Sequence, residues 1–109
     1  MNDNLSSKKC SMCVEAVAAL EAPRRQELLS QLSDWAIVED HHLRREYSFK
    51  NFKKTLEFVN KVGSIAEEEG HHPNISFTWG KASIEIFTHK VDGLTEADFV
   101  LAAKINMIE

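Results

Sequence analysis

Ile75-Ser-Phe-Thr-Trp-Gly80-Lys-Ala-Ser-Ile-Glu-Ile86 decides the fold. Ile75, Phe77 and Trp79 alternate with Ser76 and Thr78. Past Gly80-Lys81, Ala82, Ile84, Ile86 and Thr88 alternate with Ser83, Glu85, Phe87 and His89. A period of two is the signature of a half-buried strand. Gly80-Lys81 between two such runs fits a two-residue type II′ turn, so the stretch predicts a hairpin. That turn pairs Trp79 with Ala82, Phe77 with Ile84 and Ile75 with Ile86, and all six share the apolar face. The same register, extended, sets His72 opposite His89.

Working upstream, Leu43, Arg45, Tyr47 and Phe49 alternate with Arg44, Glu46 and Ser48. Trp35 to Glu39 supplies a partner strand, with Asp40-His41 as the turn of a second hairpin. Between the hairpins lies a helix. Asn51 suits its N-cap. Phe52, Leu56, Val59, Val62 or Gly63, and Ala66 follow one apolar face. Gly70 suits a left-handed C-cap, and Pro73 blocks continuation and extends His72. Before the first hairpin, Val14 to Leu20 and Pro23 to Leu32 carry helical residues, with Leu28, Leu29 and Leu32 as the buried stripe. After the second, Thr95-Glu-Ala-Asp98 opens like a capping box, and Phe99 to Ile108 forms the closing helix. The order is helix, two strands, helix, two strands, helix. It predicts an α+β domain, a four-stranded antiparallel sheet with helices packed on one face. Residues 1–13 read as a tail and 14–109 as a single domain.

With 109 residues, 43% apolar and 28% charged, the chain has one modest core. A net charge of -4 forms no basic face and argues against binding a nucleic-acid backbone. No apolar run reaches membrane-spanning length, and Met1-Asn-Asp-Asn-Leu-Ser-Ser-Lys-Lys has no signal-peptide core, so a cytoplasmic location is expected. Cys10 and Cys13 form a C-x-x-C without the preceding strand a redox motif needs.

Three of the five histidines, His71, His72 and His89, fall in one C-terminal stretch. Imidazole titrates near neutrality, so such a cluster suits proton transfer to and from one ligand. Glu67-Glu68-Glu69 ends a helix where acids are disfavoured, which favours imidazolium nearby. Glu67 lies one turn before His71 and is placed to orient it, while Glu68 and Glu69 should point outward. Adjacent residues of an extended chain diverge, making His71 and His72 poor co-ligands for a metal. His41-His42 sits at a hairpin tip and is assigned no role. Asp98 reads as a cap, and Phe77 and Trp79 as core.

Glu67, three residues, His71-His72-Pro73, five residues, Trp79, nine residues, His89, eight residues, Asp98 resembles the signature of the pterin-4a-carbinolamine dehydratases. The likeness runs from about Trp35 to Ile108. It implies the same α+β fold and a hydro-lyase that removes water from 4a-hydroxytetrahydrobiopterin, giving quinonoid dihydropterin. It also implies a metabolic link to phenylalanine hydroxylase, assembly as a homodimer or homotetramer, and no metal or bound cofactor. By the resemblance, His71, His72 and His89 carry catalysis, with His71 and His89 as the acid/base pair and His72 holding the pterin. Glu67 would tune His71, and the backbone of Phe87-Thr88 would read the pterin's amide edge. Gly70 stands where some members carry an acid. The alternative on the same fold is a non-catalytic dimerization module.

Overall fold

Seven elements follow one another in the predicted order: α1 (Ala22–Leu29), β1 (Ala36–Val38), β2 (His42–Ser48), α2 (Phe52–Glu69), β3 (Asn74–Thr78), β4 (Lys81–Ile86) and α3 (Glu96–Asn106). This computed structural model describes residues 20–108. The tail reading, residues 14–19 and Cys10 and Cys13 lie outside the described residues. The strands form one antiparallel sheet ordered β1-β2-β4-β3. One face carries the helices. There Leu43 of β2 and Ile84 and Ile86 of β4 are fully buried in one cluster with Val62 of α2 and Phe99 and Leu101 of α3. The other face is polar: Arg44 pairs with Glu85 at 2.7 Å across β2 and β4.

The termini of α2 follow local chemistry. Lys54 N–H donates to Asn51 Oδ1 at 2.8 Å, an N-cap whose removal costs about 1 kcal/mol. Gly70 closes the helix with φ 67°, a conformation that favours glycine. The buried face differs from the predicted one. It consists of Thr55, Phe58, Val62 and Ala66, while Phe52 and Leu56 are exposed. Thr55 explains the rotation. Its hydroxyl donates to the Asn51 carbonyl at 2.8 Å and accepts the Gly80 N–H at 3.1 Å, so a polar side chain is buried with its bonds made. Phe58 then packs at a tilt against Tyr47 and Phe49, with ring centroids 4.4 and 5.2 Å away.

That Thr55–Gly80 bond accompanies a correction to the hairpin. Thr78 pairs with Lys81, so the two-residue loop is Trp79-Gly80, and Phe77 faces Ala82 while Ile75 faces Ile84. Gly80 has φ 77° and occupies the second central position, as a type II turn requires. The register shift of two residues preserves which face each side chain occupies. It moves Trp79 into the turn, where it is 65% exposed, and Phe77 on edge strand β3 is also exposed. Neither is core.

The β1–β2 turn is likewise displaced. Glu39 and Asp40 both have φ 55°, and His41 N–H donates to the Val38 carbonyl at 2.9 Å, a type I′ turn. The third helix begins at Glu96, three residues before the predicted Phe99, directly after its cap Thr95.

Candidate active site

The end of α2 separates two neighbouring imidazoles. His71 N–H still donates to the Ala66 carbonyl at 3.2 Å, and β3 begins three residues later at Asn74. His71 turns inward. Its side chain is 10% exposed, and its Nε2 lies 2.7 Å from Asp98 Oδ1. His72 turns outward to Glu67 Oε2, also at 2.7 Å, with both side chains mostly in solvent. Glu67 therefore partners His72, not His71 as expected from one turn of helical spacing. The carboxylate that orients His71 comes from the first turn of α3.

Asp98 is wholly buried and fully occupied. Its Oδ2 accepts the Thr95 N–H at 2.7 Å, as the N3 acid of a capping box does. The same oxygen accepts the Thr88 hydroxyl at 2.8 Å. With that hydrogen committed, Thr88 Oγ1 accepts from Thr95 Oγ1 at 2.9 Å. Donors from three segments thus compensate one buried carboxylate, and the positive end of α3 adds to them. A carboxylate only accepts, so the remaining oxygen holds hydrogen on His71 Nε2. Neutral His71 then presents a lone pair at Nδ1.

Thr88 ties this network to the third histidine. His89 follows it on a turn closed by a bridge between Thr88 and Gly93, and its ring lies 4.3 Å from that of Phe87. His71 and the His89 turn are therefore linked through Asp98 and Thr88. The predicted pairing of His72 with His89 does not occur, because β3 begins at Asn74, opposite Glu85. Nor is the Thr88 backbone free to read a ligand. Its N–H donates to Gly93 at 2.8 Å, and its carbonyl accepts from Val91 at 3.2 Å. It is the Thr88 side chain that reaches the Asp98 network. Glu68 is exposed, whereas Glu69 turns inward to Lys104 at 3.6 Å.

Sequence reasoning assigned Asp98 to capping alone. The structure gives it two oxygens with two duties. The spacing of Asp98 within the histidine signature was the available signal. For the Thr88 hydroxyl, only its place beside His89 pointed the way.

A family described as pterin 4 alpha carbinolamine dehydratase matches residues 18–108. The chain belongs to that family. A Rubrobacter xylanophilus protein provisionally named pterin-4-alpha-carbinolamine dehydratase is 50% identical over 104 residues, covering 95% of this chain and 97% of the relative. An Alkaliphilus metalliredigens protein with the same provisional name is 48% identical, covering 95% of each chain. The crystal structure of a transcriptional coactivator/pterin dehydratase from Brucella melitensis matches with a TM-score of 0.76 at 28% identity, over 81% of this chain and 95% of that one. That neighbour accords with the helix and sheet arrangement described above.

Proposed function

We propose that this chain is a 4a-hydroxytetrahydrobiopterin dehydratase, a hydro-lyase acting by histidine acid/base catalysis. Membership of the family supports the reaction. The bond from His71 to buried Asp98 is the observation that carries the mechanism. An imidazole whose Nε2–H is held by a carboxylate is oriented as a general base. His71 Nδ1 removes the proton from the ring nitrogen beside C4a. His89 protonates the hydroxyl on C4a, which departs as water. The electron pair of the broken N–H bond forms the carbon–nitrogen double bond of quinonoid dihydropterin. His72, exposed and anchored by Glu67, holds the pterin beside the pair.

The substrate is what an aromatic amino acid hydroxylase leaves when it has used its pterin. The reading therefore places this protein beside such a hydroxylase, phenylalanine hydroxylase being the expected one, in the cytoplasm and as a homo-oligomer. A second reading draws on the Brucella protein's name, which pairs coactivator with dehydratase. In that reading the fold serves as a dimerization partner.

Turnover of freshly generated carbinolamine by the purified protein tests both. The enzyme reading expects a rate well above the uncatalysed one, and a loss of about 10²–10⁴-fold in each of His71→Ala and His89→Ala. A wild-type rate no faster than the uncatalysed reaction rejects the dehydratase. Variants as fast as wild type reject the histidine roles.

A further inference from the structure

The histidine doublet at the β1–β2 turn, unassigned from sequence, reaches the proposed site through an aromatic contact. The His41 ring centroid lies 4.4 Å from that of Phe87, at a tilt of 44°. Phe87 in turn contacts His89 at 4.3 Å and 40°. Three rings thus run in series from a turn between strands to a candidate catalytic imidazole.

His41 itself has two polar partners, one of them the exposed Asp92. Its Nε2 donates to Asp92 Oδ1 at 2.8 Å. Its Nδ1 lies 3.2 Å from His42 Nδ1. With the Nε2 hydrogen given to Asp92, neutral His41 presents its Nδ1 lone pair to His42 Nδ1–H. Asp92 and Phe87 lie at opposite ends of the short turn that carries His89. His41 therefore grips both ends of that turn while sitting outside it.

We infer that His41 is a positioning residue for His89, acting through the Phe87 ring. The inference rests on the proposed role of His89 in proton transfer. His89 is exposed on a turn, where an unsupported side chain samples several staggered rotamers. Proton transfer needs the ring within hydrogen-bond reach of the departing oxygen. Seating Phe87 against His41 restricts the face along which His89 rests. The His42 contact and, more weakly, the solvent-exposed Asp92 favour the His41 ring orientation that does so.

Two variants and two readouts test this. The first readout is the NMR shift of the His89 ring protons in the unliganded protein, which the Phe87 ring current displaces. The second is kcat against KM for dehydration. His41→Ala is expected to return the His89 shifts toward those of a free histidine. It should lower kcat about tenfold while KM stays within about twofold, as expected when alignment of a reacting group is lost and binding is kept. His41→Phe keeps a ring on Phe87 and is expected to restore both the shifts and most of kcat. The inference is overturned if His41→Ala leaves the His89 shifts unchanged, or if His41→Phe fails to restore them in a folded protein. The shifts decide the matter even if the wild type shows no dehydration, so failure of the activity and failure of the inference stay distinguishable.

Discussion

His71 and His72 are neighbours in the chain, and each meets a carboxylate at 2.7 Å. Everything else about the two pairs differs. The side chains of His71 and Asp98 are 10% and 0% exposed, whereas those of His72 and Glu67 are 60% and 80% exposed. Equal lengths do not make equal energies. In water a pair of this kind is screened and must hold two mobile side chains still, so its net worth is about 0–1 kcal/mol. In the interior the same contact stands among groups that have lost their water, and removing one partner strands the rest. The buried carboxylate also bonds two further donors, which the exposed one does not need.

The largest expected effect breaks the buried side. Asp98→Ala leaves His71, Thr88 and the Thr95 N–H without their acceptor. It should cost about 3–5 kcal/mol, read from chemical denaturation. Asp98→Asn sharpens the point. Its remaining carbonyl oxygen still serves Thr88 and Thr95, so the fold survives, but an amide donor now faces His71 Nε2. The ring must reverse its tautomer, and turnover should fall by about 10²-fold or more in a protein that still unfolds cooperatively. Undiminished turnover in Asp98→Asn would remove the orienting role.

Tyr47 offers a smaller, pH-dependent contrast, since burial without a compensating acid acts differently. Desolvation pushes its hydroxyl up to about 12 from the ordinary 10.0, against the opposing pull of Arg45. The neutral phenol is favoured by folding, so its contribution is whole below pH 10 and is lost as pH climbs toward about 12. Stability of the wild type should therefore fall more steeply across that alkaline window than that of Tyr47→Phe, measured by denaturant midpoints at each pH. Parallel curves would contradict it.

The smallest effect belongs to the exposed side. Glu67→Gln should change stability by less than about 1 kcal/mol. Even that difference should vanish near 1 M salt, where the screening length is about 3 Å. A loss as great as that of Asp98→Ala would mean that contact distance, not surroundings, governs these pairs.

The element order was legible in the sequence because strand and helix periods differ so clearly across Leu43–Phe49, Phe52–Ala66 and Ala82–Ile86. Asn51 and Gly70 announced the ends of α2 by chemistry that is local to one turn. The turn registers were less legible. Gly80 serves a type II′ turn as first central residue and a type II turn as second, and its contacts with the Thr55 hydroxyl and the Phe49 N–H form only in the folded chain. Phe49 N–H donates to the Gly80 carbonyl at 2.7 Å, a contact no sequence window of turn length contains. The buried face of α2 was misread for a related reason, since Thr55 reads as polar until its two partners are known. At the candidate site, the signature named the segments of His71, His89 and Asp98, and the fold links them through Asp98 and Thr88. Which carboxylate meets which ring depends on α3 crossing the end of α2, a tertiary fact.

Asp98 starts a helix with one oxygen and aims an imidazole with the other. Loosening the first turn of α3 therefore also releases the His71 ring, the proposed base. On heating, turnover should be lost no later than the helical signal, and turnover that outlasted it would separate the two duties.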